Sequence, residues 1–184
     1  MSSELSQVVM SEVEVEVVVV RHGETDSNRS HTIQGHLDTP LSSLGRRQAE
    51  CVATYLADTQ FSQAISSDLA RALSTGQAIA RANTSLVESE IEQWEVLRER
   101  CFGELEGGQA GLMQEAVKGL NREEILAWGP RGGETGLQFR QRVRKLSTPI
   151  NPSILSECLT VISPQYNLAR LEWRVRFPGI SWHS

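Results

Sequence analysis

The segment VEVEVVVV, residues 13–20, constrains this chain more than any other. Side chains on a strand alternate between faces, so Val13, Val15 and Val17 share one face while Glu12, Glu14 and Glu16 share the other. From Val17 to Val20 the alternation stops and both faces turn apolar, the pattern of a strand buried on two sides in a parallel sheet. The strand is half exposed where it begins and central where it ends. Its tip is Arg21 and His22, and Gly23 allows a tight departure into DSNRSHTIQGHLDTP, a polar loop closed by Pro40.

The next segments alternate in type. A helix is signalled from Leu41, with Ser42 or Ser43 as cap and Leu44, Ala49, Val52, Ala53 and Leu56 at helical spacing up to about Ala57. FSQAIS reads as a short strand, and Ser67 and Asp68 offer caps to a second helix whose face carries Leu69, Ala72, Leu73 and Ile79. Strand, helix, strand, helix is the rhythm of an α/β domain with a mainly parallel sheet. WEVL is a candidate short strand. Residues 112–128 read as one helix packing through Met113, Val117, Leu120, Ile125 and Leu126, and PRGGE interrupts before a further helix from Thr135 to about Leu146. Pro149 and Pro152 end that helix ahead of CLTVIS, another buried strand. The expected organisation is a flexible N-terminus over residues 1–11, a domain over 12–163 and a divergent C-terminal tail over 164–184.

Composition narrows the function. A chain of 184 residues with 39% hydrophobic and 22% charged residues suits one globular domain with a real core. The net charge of -5 argues against a nucleic-acid partner or an anionic membrane surface, while a few well-placed arginines still bind a small anion. Cys51, Cys101 and Cys158 are odd in number and widely spaced, so neither a disulfide framework nor a zinc site is expected. The N-terminal residues lack the basic and apolar regions of a signal peptide, and no stretch reaches the ~18 apolar residues of a membrane span. The expected address is cytoplasmic.

In open α/β sheets, ligands bind beyond the carboxyl ends of the strands, where Arg21 and His22 are placed. A neutral imidazole nitrogen attacks phosphorus, and an adjacent arginine clamps the phosphate oxygens. An isolated histidine is more often a hydrogen-bonded core or surface residue, and an isolated arginine or glutamate a solvated one. Here the histidine has company: Arg21-His22-Gly23-Glu24-Thr25, Asn28, Ile33-Gln34-Gly35, Pro40-Leu41-Ser42, Ser66-Ser67-Asp68-Leu69 with Arg71, Leu97-Arg98-Glu99-Arg100 before Gly103, Glu106-Gly107 and Gly132-Gly133-Glu134-Thr135.

In order and spacing these segments resemble the histidine phosphatase superfamily, also called phosphoglycerate-mutase-like, over roughly residues 13–163. The resemblance implies an α/β three-layer sandwich around a mostly parallel sheet. It makes His22 the nucleophile that becomes phosphohistidine, Glu99 the acid that protonates the leaving oxygen, and Arg21 and Arg71 the phosphate clamp. Thr25, Asn28, Gln34 and Gly35 fall where the family lines its phosphate pocket. Arg71 follows the second strand closely, which brings it to the sheet edge of His22. No metal and no cofactor are called for. Arg29, Arg46, Arg47 and Arg81 read as solvated surface residues, and His31 and His36 as rim or solvent residues.

The chain departs from the family after LTVIS. The family's second catalytic histidine, in a Ser-His-Gly step, is replaced by Pro164-Gln165. Proline supplies no charge and no donor to a phosphoryl group in flight, a loss of about 2.7–4 kcal/mol by analogy with one missing oxyanion donor. Leu171, Trp173, Val175 and Phe177 alternate with charged residues as in a strand, where the family continues as a helix. A truncated or altered gene product lacking the last elements, a pseudoenzyme and an active enzyme with a rearranged site are the three readings. His183 near the end is a remote substitute.

The segments look most like the fructose-2,6-bisphosphatase branch and broad phosphatases. The expected function is hydrolysis of a small phosphomonoester, such as a sugar bisphosphate, through phosphohistidine, with activity impaired by the missing histidine. The alternative is a catalytically silent protein that binds a phosphorylated metabolite.

Overall fold

The computed structural model describes residues 14–144, 159–163 and 172–176, with side chains over 18–144. Strand β1, Glu14–Arg21, is followed by the short helix α1, Asp26–Arg29, and by α2, Ser43–Tyr55. Then come β2, Gln63–Ser66, α3, Ala70–Ala82, and the two-residue β3, Glu92–Gln93. Three short helices follow, α4 at Gly111–Ala116, α5 at Arg122–Ala127 and α6 at Gly136–Arg144. The last described elements are β4, Leu159–Ser163, and β5, Glu172–Arg176.

The sheet order is β3-β2-β4-β1-β5. All its pairings are parallel except that of β5, which runs antiparallel to β1. Register places Arg21 beside Ser163 and Ser66 beside Ile162, so β1, β4 and β2 end along one edge. His22 and Ser67 leave the sheet from that edge. This is the α/β fold with a mostly parallel sheet that the alternation of elements implied.

Helices α2 and α3 pack on each other and against the sheet. Val20 of β1 joins Ala53 and Leu56 of α2, Phe61, and Ala72 and Ile79 of α3 in one buried cluster. Ala64, Ala80 and Ile91 form a second. The buried face of α2 runs through Gly45, Ala49 and Ala53 rather than through Leu44, which is 41% exposed. The reason is close approach. A Cβ on Gly45 would lie 2.0 Å from the Glu24 carbonyl oxygen, and one on Gly23 would lie 2.2 Å from the Gly45 carbonyl oxygen. Only bare backbone lets the turn after His22 touch the first turn of α2.

Ser42 caps α2 as expected, its hydroxyl accepting from the Gly45 amide at 3.0 Å. At α3 the expectation is corrected. The cap position is Leu69 without a side-chain cap, and the Ala70 amide instead donates to Asp38 Oδ1 at 2.6 Å, thirty-two residues away. Asp68 is occupied elsewhere, paired with Arg98.

WEVL is not a strand: Glu95–Leu97 is a single 3-10 turn, and the strand is Glu92–Gln93. Residues 112–128 are two helices. Asn121 and Glu124 form a reciprocal capping box that starts α5 afresh, a signal present in the sequence as Asn-x-x-Glu. The late alternating segment is a strand, as read. Residues 1–11, Pro149, Pro152, Cys158, Pro164 and His183 lie outside the described residues. Among the described residues, no helix is long and apolar enough to cross a membrane.

Candidate active site

His22 leaves the end of β1 and is buried. Its Nδ1 is 2.6 Å from the Gly23 carbonyl oxygen. A carbonyl only accepts, so Nδ1 carries the proton, and in the neutral ring the lone pair is on Nε2. The Gly23 amide donates to Thr75 Oγ1 at 3.2 Å, and Thr75 in turn donates to the Arg71 carbonyl at 2.9 Å. A rigid turn of α3 thereby holds the backbone beside His22.

Arg71 is 1% exposed. Its Nη2 donates to the Gly35 carbonyl at 2.8 Å and its Nη1 to the Leu37 carbonyl at 2.9 Å. Burial pushes the guanidinium below its ordinary value, and the carboxylates of Glu99, Asp38 and Glu106 oppose that shift. Nε is buried and makes no hydrogen bond.

Glu99 is buried in the turn after the Glu95–Leu97 segment. Its Oε1 accepts from the Arg100 amide at 2.8 Å, while the buried Oε2 has no hydrogen-bond partner. Burial raises this carboxyl above the usual 4.5, opposed by the Arg100 amide and by the charges of Arg71, Arg142 and Arg21. Arg21 is exposed at the strand tip, and its charge reaches Glu99 across the sheet edge.

Thr25 is fully buried and caps α1, accepting from the Asn28 amide at 3.1 Å. Its hydroxyl is 2.9 Å from Asn28 Oδ1 and 2.8 Å from Gln34 Oε1. Thr39 also donates to Gln34 Oε1. Gly35 has φ of 52° and sits against Glu106, whose Oε1 would be 2.2 Å from an added Cβ.

The structure therefore joins the sequence-selected residues in two groups, Thr25 with Asn28 and Gln34, and Arg71 with Gly35 and Glu99. Thr75 ties His22 to the second. His36, read as a rim or solvent residue, is half-buried and hydrogen-bonded: Nε2 lies 2.9 Å from the Glu99 carbonyl oxygen, and its amide donates to Glu106 Oε1 at 2.9 Å. Thr39, Thr75 and Arg142 were not selected from the sequence, and Glu106 entered only within the Glu106-Gly107 segment, with no role assigned. Arg142 in particular has no local signal, because its partners are up to forty-six residues away.

The histidine phosphatase superfamily (branch 1) matches residues 17–157. The chain is 36% identical over 129 residues to the fructose-2,6-bisphosphatase TIGAR of Xenopus tropicalis, covering 70% of this chain and 46% of that protein. It is 41% identical over 125 residues to phosphoglycerate mutase-like protein 4 of Arabidopsis thaliana, covering 65% and 53%. The chain spans about half the length of the curated relatives it matches. Among solved structures, a phosphoglycerate mutase from Bacillus anthracis superposes with a TM-score of 0.71 at 27% identity, over 83% of this chain and 76% of that one. A mycobacterial glucosyl-3-phosphoglycerate phosphatase in complex with VO3 gives 0.64 at 27% identity, over 82% and 75%. With its parallel sheet, its His22 turn and this match across most of its length, the chain belongs to the histidine phosphatase superfamily, branch 1.

Proposed function

We propose that residues 12–163 form a phosphomonoesterase domain working through phosphohistidine. His22 Nε2 attacks phosphorus, the N–P bond forming as the ester P–O bond breaks, and Glu99 gives its proton to the departing oxygen. Water then attacks the phosphohistidine and returns a proton to the Glu99 carboxylate. Inorganic phosphate leaves and the imidazole is restored. Arg21 and Arg71 bear the phosphate charge, with Thr25, Asn28, Gln34 and the Gly35 loop around it.

The carrying observation is Glu99. An alkoxide leaves poorly unless protonated, and a buried carboxyl whose Oε1 accepts an amide, with Oε2 unpartnered, is built to hold a proton there. The relatives' names support a small phosphorylated sugar or glycerate as substrate, fructose 2,6-bisphosphate among them. The test uses the purified chain and its His22→Ala variant with p-nitrophenyl phosphate. Product release that needs His22, with an acid-labile phosphoryl group trapped on the protein, is expected; turnover that survives the substitution removes this mechanism.

A second reading is favoured by one observation, Pro164 in place of the second histidine. There the chain binds a phosphate ester without turning it over. Binding of orthovanadate that requires Arg71, with no product from any ester, would select it.

A further inference from the structure

Arg142, in the last turn of α6, makes five hydrogen bonds that use all five N–H groups of its guanidinium. Nε donates to Glu134 Oε1 at 2.8 Å, and Nη2 to Glu134 Oε2 at 2.6 Å and to the Glu99 carbonyl at 3.1 Å. Nη1 donates to the carbonyls of Val96 at 2.8 Å and Arg98 at 2.9 Å. Glu134 Oε2 also accepts from the Cys101 amide at 3.0 Å. The guanidinium has no donor left for a substrate, and every bond not made to Glu134 goes to the turn that carries Glu99.

That turn needs an external anchor. Its backbone is a 3-10 turn without a side-chain cap, followed by irregular chain. One planar fork fixes three of its carbonyls while holding both Glu134 oxygens, five bonds that an ammonium with three donors cannot make together. The charges facing Glu99 are Arg21 from β1, Arg71 from α3, Arg142 from α6 and the neighbouring Arg100, with the His36 ring on its carbonyl. A lone arginine here would draw the carboxyl toward its ionised form. Glu134 pairs with Arg142 and offsets part of that pull, while burial holds the carboxyl above its ordinary value.

We propose that Arg142, oriented by Glu134, is a positioning residue: it sets the place and direction of the Glu99 carboxyl relative to the leaving oxygen without touching substrate. This rests on Glu99 being the acid of the proposed reaction.

Arg142→Lys and Arg142→Met are compared with the unsubstituted chain on p-nitrophenyl phosphate, whose phenolate leaves without a proton, and on glycerol phosphate, whose alkoxide does not. Turnover of the alkyl ester is expected to fall about 10- to 100-fold in both variants, with KM within about threefold, while the aryl ester loses less than about threefold. Equal losses on both esters overturn the proposal, as does full alkyl activity in the lysine variant. If the unsubstituted chain turns over neither ester, the proposed function falls, and positioning is judged separately by hydrogen exchange of the Arg100 amide, which donates to Glu99 Oε1. Exchange about tenfold faster in Arg142→Met, with the α3 amides unchanged, is then expected; unchanged Arg100 exchange overturns it.

Discussion

The Arg71 guanidinium reaches from the first turn of α3 to the Gly35 carbonyl, 2.8 Å from Nη2, and so ties the loop after His22 to the helix after β2. The residue proposed to clamp phosphate is therefore also a structural strut. Two of its donors are committed to the carbonyls of Gly35 and Leu37, so the proposed clamp would use the rest of the fork. Binding and loop order are coupled through one side chain.

Arg71→Met is expected to cost about 2–4 kcal/mol, because the Gly35 and Leu37 carbonyls lose their donor at a site where the guanidinium is almost wholly buried. Urea unfolding reads the loss, and orthovanadate binding should disappear with it. Arg71→Lys should recover part of the stability but not the binding, since an ammonium lacks the fork. Wild-type stability in the methionine variant would show that the strut carries no load.

Glu99 should leave a signature in the pH dependence of stability. Burial raises its folded-state value above the ordinary 4.5, so the native chain holds this proton more tightly than the unfolded chain. Its contribution is complete below the ordinary value and is lost as pH rises through the raised one. Urea midpoints of the wild type and Glu99→Gln, followed from about pH 4 to about pH 8, should diverge in favour of the variant as pH rises. Parallel curves would mean that the carboxyl is solvated.

Asp38 caps α3 from a distant loop, and its removal should be felt there. Asp38→Ala is expected to cost about 1 kcal/mol, the usual value of an N-terminal cap, and Asp38→Asn distinctly less. The Ala70 amide should exchange faster in the alanine variant, while amides late in α3 keep their protection. Equal stability of all three proteins would dismiss the cap.

Gly45→Ala tests the approach between the His22 turn and α2. Alanine inside a helix normally stabilises by roughly 0.5–1 kcal/mol relative to glycine. Here the added Cβ meets the Glu24 carbonyl oxygen at 2.0 Å, so the sign should reverse, with a loss of about 1–3 kcal/mol and lower phosphatase turnover. A more stable variant would refute the close packing.

Much of the frame could be read in the sequence because it is written in short-range patterns. The valine run ends in β1, Ser42 caps α2, and Leu69, Ala72 and Ile79 are buried as their spacing implied. The misreadings have a common cause. Leu44 is apolar at the right period yet faces out, because Gly45 must lie against Glu24; Ser67 and Asp68 have cap chemistry, but Asp38 holds that place and Arg98 claims Asp68. In each case a partner far along the chain outcompetes the local preference.

By itself, then, the sequence determined that strands and helices alternate as in a mostly parallel sheet and that an arginine and a histidine stand at the end of its first strand, since strand and helix periods depend on near neighbours alone. Tertiary structure decided the protonation-sensitive part: Glu99 is an ordinary surface acid until Arg71, His36 and Arg142 close around its turn. Desolvation and hydrogen-bond geometry belong to no single segment. They exist only once residues from β1, α3 and α6 share one space.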